Sequence, residues 1–375
     1  MLLSPDQLVQ QIHDSRGRIV LAATGGGSRA IADLLEVPGG SKTLLEAVVP
    51  YSAPAMIEWL GGVPDEFCSA ATARAMAMVA FQRARRYEEP VSTVAGVACT
   101  ASLASDRPKR GPHRIHVALQ TIGETAVWHL QLLKQRRSRV EEERLAGRLL
   151  LNAVAAACDV PDRLKLVLLE GERVEESSTR APAEWQDLLL GNVESVRVGP
   201  EGGPPRLVFP GAFNPLHAGH RRMVQIARDM MQQPAAVEIS IVNVDKPPLD
   251  YMEIERRLGQ FPPEWTIYLT RAARFEEKSR LFAGATLIVG ADTLRRIASP
   301  RYHGGDAAAC RESLERIAAN GCRFLVFDRC EDGGGFVRLA DLDLPDVLRS
   351  LCQEVSPEVF RDDVSSTALR KSGAG

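Results

Sequence analysis

Two histidines three residues apart are the strongest candidates for chemistry in this chain. His217 and His220 follow an apolar, β-prone run at residues 207–209 and a Pro-Gly turn, and a helix-like segment extends from His220 to residue 231. A spacing of three residues places both imidazoles on one side of the first helical turn. Because backbone N–H groups at a helix N-terminus can bind an anion, the pattern favours a polyphosphate site. A surface loop with two ordinary histidines, or a pair of metal ligands, is the alternative.

The second half of the chain alternates apolar, strand-like runs with helix-like segments. The strand-like runs lie at residues 207–209, 237–242, 266–270, 285–289 and 323–327. Such alternation predicts a parallel, doubly wound sheet. Ligands of these sheets bind beyond the carboxyl ends of the strands, and the histidine segment follows the first of these runs. The sequence therefore places the site at one edge of the sheet.

Three motifs in this half resemble those of the HxGH nucleotidyltransferase superfamily, whose members are cytidylyltransferase-like. Residues 211–220, Gly-Ala-Phe-Asn-Pro-Leu-His-Ala-Gly-His, resemble its signature. Residues 364–370, Val-Ser-Ser-Thr-Ala-Leu-Arg, are similar to its Ile-Ser-Ser-Thr-x-Ile/Leu-Arg motif. Residues 288–294 are similar to the Gly-x-Asp segment of the nicotinate and nicotinamide mononucleotide adenylyltransferases. The three motifs occur in the family's order across residues 206–375, which implies a Rossmann-like nucleotidyltransferase domain.

The resemblance implies transfer of the adenylyl group of ATP to a phosphorylated acceptor, with release of pyrophosphate. The favoured acceptor is a nicotinamide or nicotinate mononucleotide, as in NAD biosynthesis. Mg²⁺ is expected to arrive with ATP, held mainly by phosphates and water, and no metal site made of protein ligands is expected. Cytidylyl or adenylyl transfer to another phosphorylated acceptor, or a non-catalytic nucleotide-binding protein, are the alternatives.

The matched positions receive roles from the same resemblance. His217, His220 and Arg370 are expected to contact phosphates and stabilise the transition state. The other expected ATP contacts are backbone of the first motif, one lysine and the hydroxyls of the last motif, namely Gly211, Ala212, Phe213, Lys246, Ser365, Ser366 and Thr367. A surface position is the alternative for Lys246. Gly290 and Asp292 are assigned to the acceptor or a ribose, with a helix-capping role as the alternative for Asp292.

The first half contains a second strand, glycine loop and helix start at residues 19–36, including Thr-Gly-Gly-Gly-Ser at 24–28. Residues 4–160 resemble the CinA C-terminal domain, the nicotinamide mononucleotide deamidase family. The likeness rests on Ala-Ala-Thr-Gly-Gly at 22–26 against Ser-Cys-Thr-Gly-Gly, and on Val-Pro-Tyr-Ser at 49–52 against Val-Thr-Tyr-Ser.

Ala22 replaces the family's catalytic serine, and Met56 stands where its lysine would be. Because amide hydrolysis needs an activated nucleophile with a base or cation, this half is interpreted as a fold kept for binding or packing. Its candidate ligand pocket combines the glycine loop, two further strand ends and a basic loop: Thr24, Gly25, Gly26, Ser28, Tyr51, Thr100, Arg107, Lys109 and Arg110. The alternative for the glycine loop is a tight turn, and the alternative for the basic loop is a solvent-exposed run of charges.

The length and composition of the chain, together with one Pro/Gly-rich stretch, predict two α/β domains. The chain has 375 residues, is 45% apolar and 25% charged, and has a net charge of −2, which argues against a nucleic-acid binder. The Pro/Gly-rich stretch 198–205 is interpreted as a linker between domains at 1–197 and 206–375. Within the first, residues 127–158 are predicted to be helical and 164–170 a strand.

Neither a signal peptide nor an apolar run of membrane-spanning length is expected. Seven scattered cysteines, without a Cys-x-x-Cys pair, favour free thiols in a reducing compartment and hence the cytoplasm. The expected partners are ATP and a small phosphorylated metabolite, with neither nucleic acid nor membrane, and the sequence leaves a homo-oligomer open.

Overall fold

The protein is represented by a computed structural model that describes residues 3–106, 110–243, 247–330, 336–356 and 358–360. The chain divides into two compact units. The first comprises Met1–Gln186 with Asp245–Ile254, and the second comprises Asp187–Val244 with Glu255–Gly375.

The first part of the chain alternates helices with strands. In chain order its elements are α1 (Pro5–Asp14), β1 (Arg18–Thr24), α2 (Arg29–Glu36), β2 (Leu44–Val48), α3 (Ala53–Leu60), α4 (Ala70–Tyr87), β3 (Val94–Ser102), β4 (His113–Gln120), β5 (Glu124–Leu132), α5 (Arg139–Ala157), β6 (Val174–Arg180) and α6 (Ala183–Leu190).

The six-stranded sheet of the first unit has the order β2-β1-β3-β4-β5-β6. Strand β1 is parallel to both of its neighbours, whereas the pairs from β3 to β6 are antiparallel. Apolar side chains of α1, α2 and α5 cover one face of the sheet, and those of α3 and α4 cover the other. Both faces are thus removed from water, as in other three-layer α/β domains.

Two secondary-structure predictions in this unit are wrong. Residues 124–132 form strand β5, because they pair in register with both β4 and β6. The helix begins only after Ser138, whose side chain accepts from the Glu141 N–H while the Glu141 carboxylate accepts from the Ser138 N–H. Residues 164–170 form no strand, since Leu164 bonds through both backbone groups to the Asn152 side chain of α5. The Asn152 amide thus makes the two backbone hydrogen bonds at Leu164 that a neighbouring strand would otherwise make.

The second part of the chain continues the alternation. Its elements are β7 (Ser195–Val198), β8 (Leu207–Pro210), α7 (Ala218–Met231), β9 (Ala235–Ser240), α8 (Tyr251–Leu258), β10 (Thr266–Thr270), α9 (Phe275–Leu281), β11 (Thr286–Gly290), α10 (Ala291–Ile297), α11 (Ala307–Ala319), β12 (Arg323–Phe327), β13 (Arg329–Cys330), β14 (Phe336–Val337), α12 (Asp346–Ser350) and β15 (Cys352–Glu354).

The seven-stranded sheet of the second unit has the order β15-β12-β11-β8-β9-β10-β7. All neighbours are parallel except β7, which runs antiparallel to β10. Leaving β7 aside, the chain fills the sheet outward from β8 on one side and then from β11 on the other. This is the strand order of a doubly wound sheet, and the direction reverses between β8 and β11. The predicted Rossmann-like fold is confirmed.

The two units differ in two places from the domains proposed from sequence. The first unit ends at Gln186 instead of 197 because β7 hydrogen-bonds along β10 in the second sheet. Residues 245–254 group with the first unit. There the Tyr251 hydroxyl donates to the Ile122 carbonyl at 2.6 Å, and its N–H donates to the Thr125 hydroxyl at 3.1 Å.

A buried ion pair joins α9 to β9 in the second unit. The Lys278 ammonium lies 2.7 Å from both carboxylate oxygens of Glu238, which is fully buried, and also donates to the Ala272 carbonyl at 2.8 Å. The Thr270 hydroxyl donates to the same carboxylate at 2.5 Å. The Glu238 carbonyl in turn accepts from the Gly211 N–H at 3.0 Å. Gly211 begins the histidine loop, residues 211–217, which joins β8 to α7. The ion pair therefore fixes β9, the strand next to β8, whose backbone accepts the first hydrogen bond of that loop.

Removing one charge of this pair should be costly because the other remains buried. Lys278→Met should lower the free energy of unfolding of the second unit by about 3–5 kcal/mol. Arg280→Met on the same helix is the control, since its pair with Glu194 is 66% and 59% exposed and should contribute less than about 1 kcal/mol. Urea denaturation followed by circular dichroism measures both. Equal losses in the two variants would contradict the role assigned to the buried pair.

Candidate functional site

The loop that leaves β8 is shaped by one phenylalanine. Phe213 is buried, has a left-handed backbone (φ 46°), and packs edge-on against Phe209 and Phe261 at centroid distances of 5.2 and 5.3 Å. A Cβ at Gly211 would lie 2.7 Å from the Phe213 ring, so only glycine fits beneath it. The Gly-Ala-Phe motif therefore has a structural reason: the ring fixes the path of the backbone between β8 and α7.

The two histidines of the motif lie in contact at the start of α7. His217 is the N-cap residue, and its ring stacks on that of His220 with centroids 3.7 Å apart and planes 28° apart. The His217 N–H donates to Nδ1 of His220 at 3.3 Å. Because Nδ1 accepts this bond, the neutral His220 ring carries its proton on Nε2, where it is a hydrogen-bond donor. Two imidazoles and a helix N-terminus thus converge at the carboxyl end of β8.

The Gly-x-Asp segment lies at the end of the adjacent parallel strand. Gly290 ends β11 and is the N-cap residue of α10, and β11 pairs directly with β8. A Cβ at Gly290 would lie 2.7 Å from Oδ1 of Asp292, so the carboxylate folds back over the glycine. Since neighbouring parallel strands end at the same edge, both motifs lie at the carboxyl edge of the sheet, where the strand order reverses.

Several predicted contact residues lie outside the described part of the chain. These are Lys246 and the four positions of the last motif, Ser365, Ser366, Thr367 and Arg370. The same holds for Arg107 and Lys109 of the basic loop in the first half. Their roles stay predictions.

The glycine loop of the first unit is faced by a carboxylate of the chain itself. The Ser28 hydroxyl and the Arg29 N–H both donate to the Glu143 carboxylate of α5, at 3.0 and 3.2 Å. From the same helix, Arg139 donates to the Gly25 carbonyl at 3.0 Å. Gly25 also approaches β3 closely, because its Cβ would lie 1.9 Å from the Ala101 carbonyl. A carboxylate of the chain itself therefore contacts the glycine loop that the sequence assigned to a candidate ligand pocket.

The other described residues of the predicted pocket in the first unit have separate structural contacts. The hydroxyls of Thr24 and Thr100 donate to the carbonyls of Pro50 and Phe67, at 3.0 and 2.8 Å. Tyr51 is 68% exposed, and Gly26 packs against side chains at the end of β3. Arg110 is exposed, and its carbonyl accepts from Lys134 at 3.4 Å.

The position of the missing nucleophile is part of the core. Ala22 is fully buried in an apolar cluster with Met56 of α3 and Met76 of α4. Its neighbours in this cluster are apolar, and apolar side chains cannot act as the base or cation that amide hydrolysis needs.

Within the described residues, no helix is long and apolar enough to cross a membrane, and no group of three or more His, Cys, Asp or Glu side chains could hold a metal ion. The six cysteines whose side chains are described are free thiols.

Sequence patterns missed two features at the carboxyl edge of the second sheet. Arg256, Arg257 and Gln260, at the end of α8 and just beyond it, contact the loop. Asp328 directly follows β12 at the same edge of the sheet and is 2% exposed. Burial, then the nearby Glu354 carboxylate, raises the pKa of Asp328 to about 6. Neither feature has a sequence motif, because each depends on contacts between distant segments.

The pKa of Asp328 predicts a pH dependence of stability. The folded protein holds this proton more tightly than the unfolded chain, whose carboxyl has the ordinary pKa of 3.8, so the stability cost is greatest above about pH 6 and vanishes toward about pH 4. Asp328→Asn should raise the free energy of unfolding at about pH 8 by about 1–3 kcal/mol and flatten its pH dependence below about pH 6.

Urea denaturation across this pH range measures the effect. Asp343→Asn, an exposed position in the same unit, is the control and should change neither quantity. An unchanged pH profile in Asp328→Asn would contradict the assigned pKa.

Comparison with known proteins gives a family for the second half and structural likenesses for the first. A family model described as cytidylyltransferase-like matches residues 208–372. A comparison with curated proteins found no match.

The N-terminal part of the chain is similar to solved structures of competence-related proteins. The competence/damage-inducible protein CihA from Agrobacterium tumefaciens is 22% identical, with a TM-score of 0.34, and the match covers 42% of this chain and 98% of that one. A CinA superfamily protein from Escherichia coli is 16% identical, with a TM-score of 0.34, over 41% of this chain and 90% of that one.

The family match coincides with the doubly wound sheet and with the loop that carries both histidines. The match to the cytidylyltransferase-like model supports nucleotidyltransferase activity in general for this part of the chain.

Proposed function

We propose that the second unit transfers the adenylyl group of ATP to a phosphorylated acceptor and releases pyrophosphate. The observation that carries this proposal is the stacked pair His217 and His220 at the N-terminus of α7, at the sheet edge where β8 and β11 end. Helix N-termini and imidazole donors both favour a bound polyphosphate.

In the proposed reaction, a phosphate oxygen of the acceptor attacks the α-phosphorus of ATP. The bond from that phosphorus to the bridging oxygen of the β-phosphate breaks, and the leaving pyrophosphate takes the electron pair. Such transfers depend on in-line positioning and on neutralising charge that develops on the phosphate oxygens. His220 suits this role because Nε2 carries its ring proton, and His217 lies against it.

The remaining phosphate contacts are proposed from the family motifs. Ser365, Ser366, Thr367 and Arg370 would bind the β- and γ-phosphates, the arginine through its forked guanidinium. Lys246 would add a further positive charge. We propose that Mg²⁺ arrives with ATP and is held mainly by phosphate oxygens and water.

The proposed acceptor is a nicotinamide or nicotinate mononucleotide. Support comes from the similarity of residues 288–294 to the Gly-x-Asp segment of the enzymes that adenylate these compounds. Asp292 would accept hydrogen bonds from a ribose hydroxyl, next to the Gly290 backbone at the end of β11. We propose no amide hydrolysis by the first unit, because Ala22 is buried among apolar side chains.

The cytidylyltransferase-like description of the family makes CTP the specific alternative to ATP. A screen of both triphosphates against nicotinamide mononucleotide, nicotinate mononucleotide and other phosphorylated acceptors, read out as pyrophosphate, tests donor and acceptor together. The proposal expects release with ATP and a pyridine mononucleotide. Release only with CTP, or only with another acceptor, would replace the proposed substrates, and no release in any combination would contradict the transferase.

The histidine assignment predicts a specific loss of activity. His217→Ala should lower kcat by about 10²–10³-fold, the usual effect of removing one donor to the transition state. His303→Ala is a matched control, because that half-buried ring lies in the same unit and bonds to the Ile297 carbonyl at 3.3 Å. Initial rates of pyrophosphate release measure both variants. Wild-type turnover in His217→Ala would show that the imidazole has no part in the reaction.

A further inference from the structure

The side-chain amide of one glutamine, which follows α8, hydrogen-bonds to the histidine loop at two points. Gln260, two residues beyond that helix, donates through Nε2 to the Phe213 carbonyl at 3.1 Å and accepts through Oε1 from the Leu216 N–H at 2.8 Å. The same Nε2 lies 3.3 Å from the Arg257 carbonyl, which fixes the orientation of the amide. A single side chain thus binds both ends of the segment 213–216.

Two arginines extend this contact. Arg257 is 9% exposed and donates through Nη1 to the Ala212 carbonyl at 3.0 Å. Arg256 donates to the side-chain carbonyl of Asn214. Arg257 in α8 and Gln260 just beyond it therefore bind two successive backbone carbonyls of the loop, those of Ala212 and Phe213.

Hydrogen bonds to these two carbonyls also fix the direction of the N–H group on the other side of each peptide plane. In a trans peptide, the carbonyl of one residue and the N–H of the next point in opposite directions. The peptide bonds that follow Ala212 and Phe213 are trans, whereas the Asn214–Pro215 bond is cis. Because Arg257 draws the Ala212 carbonyl toward α8, the Phe213 N–H points away from that helix. Gln260 fixes the next peptide plane in the same way.

A left-handed residue between two fixed peptide planes is a common way to present N–H groups to an anion. Phe213 has this conformation, with φ at 46°. Its ring is held by Phe209 and Phe261, so neither the side chain nor the backbone can turn without breaking contacts. Donors held in advance cost no reorganisation when the phosphate binds.

We propose that Gln260 and Arg257 are positioning residues, which orient the backbone around Phe213 so that its N–H side binds the triphosphate of the nucleotide. This inference rests on the proposed function. It adds two residues outside all three motifs to the nucleotide site, both acting through the loop backbone.

Gln260→Glu tests the proposal with almost no change in shape. The glutamate can still accept from the Leu216 N–H, but an ionised carboxylate oxygen would face the Phe213 carbonyl and could not donate to it. The KM for ATP should rise about tenfold or more while kcat changes much less, because the loop binds the triphosphate in the ground state and in the transition state. Lowering the pH should reduce the defect, since a protonated glutamate donates again.

Gln225→Glu is the matched control. That glutamine is exposed on α7, and its side chain bonds only to Asp229, at 3.0 Å, among the contacts that the structure describes. Its KM for ATP should equal that of the unmodified protein. Gln260→Ala adds a readout independent of turnover: hydrogen exchange at the Leu216 N–H should become faster, because its acceptor is gone.

The outcomes separate this inference from the proposed function. If the unmodified protein releases pyrophosphate and Gln260→Glu has an unchanged KM for ATP, the positioning role is overturned and the transferase stands. A fall in kcat at unchanged KM would overturn it as well. If the unmodified protein shows no turnover, ATP binding is compared by calorimetry: weaker binding by Gln260→Glu supports the role, and equal affinity, or no binding by either, overturns it.

Discussion

The contact between His217 and His220 is the interaction on which the site depends, because it fixes two ring orientations and one helix start together. The stacked rings and the bond from the His217 N–H to Nδ1 of His220 determine which nitrogen of His220 carries a proton. They also set where α7 begins, and hence where its N-terminal dipole points. An anion at this position meets fixed donors, which is the condition for charge stabilisation without reorganisation.

The strand order of the second unit places this contact at the carboxyl edge of its sheet, beside the position where the order reverses. The sheet grows outward from β8 and then from β11, so the loops after these two strands flank the position where the strand order reverses, which is where ligands of such sheets usually bind. The buried Lys278–Glu238 pair holds β9, whose backbone receives the Gly211 N–H at the start of the loop. Gln260 and Arg257 bind the loop from its other side. Each contact constrains the same few residues of backbone.

Local sequence patterns predicted much of this fold. They failed where contacts between segments far apart in the sequence determine the structure. The alternation of strands and helices gave the doubly wound sheet, and the motif placed both histidines on one helical turn. Strand β5 was missed because its pairing with β4 and β6 outweighs a helix-like local sequence. The carboxylate of Glu143 at the first glycine loop, 115 residues after Ser28, could not be predicted, since no spacing rule joins them. The same is true of Gln260, 44 residues beyond Leu216.

A nucleoside triphosphate is proposed to bind where β8 and β11 end, against the histidine pair. A crystal structure of the protein with a non-hydrolysable ATP analogue would show whether it does. We expect the triphosphate at the N-terminus of α7, with the rings of His217 and His220 within hydrogen-bond distance of its oxygens. Density for the analogue elsewhere on the protein, with the histidine rings out of its reach, would rule out this binding site.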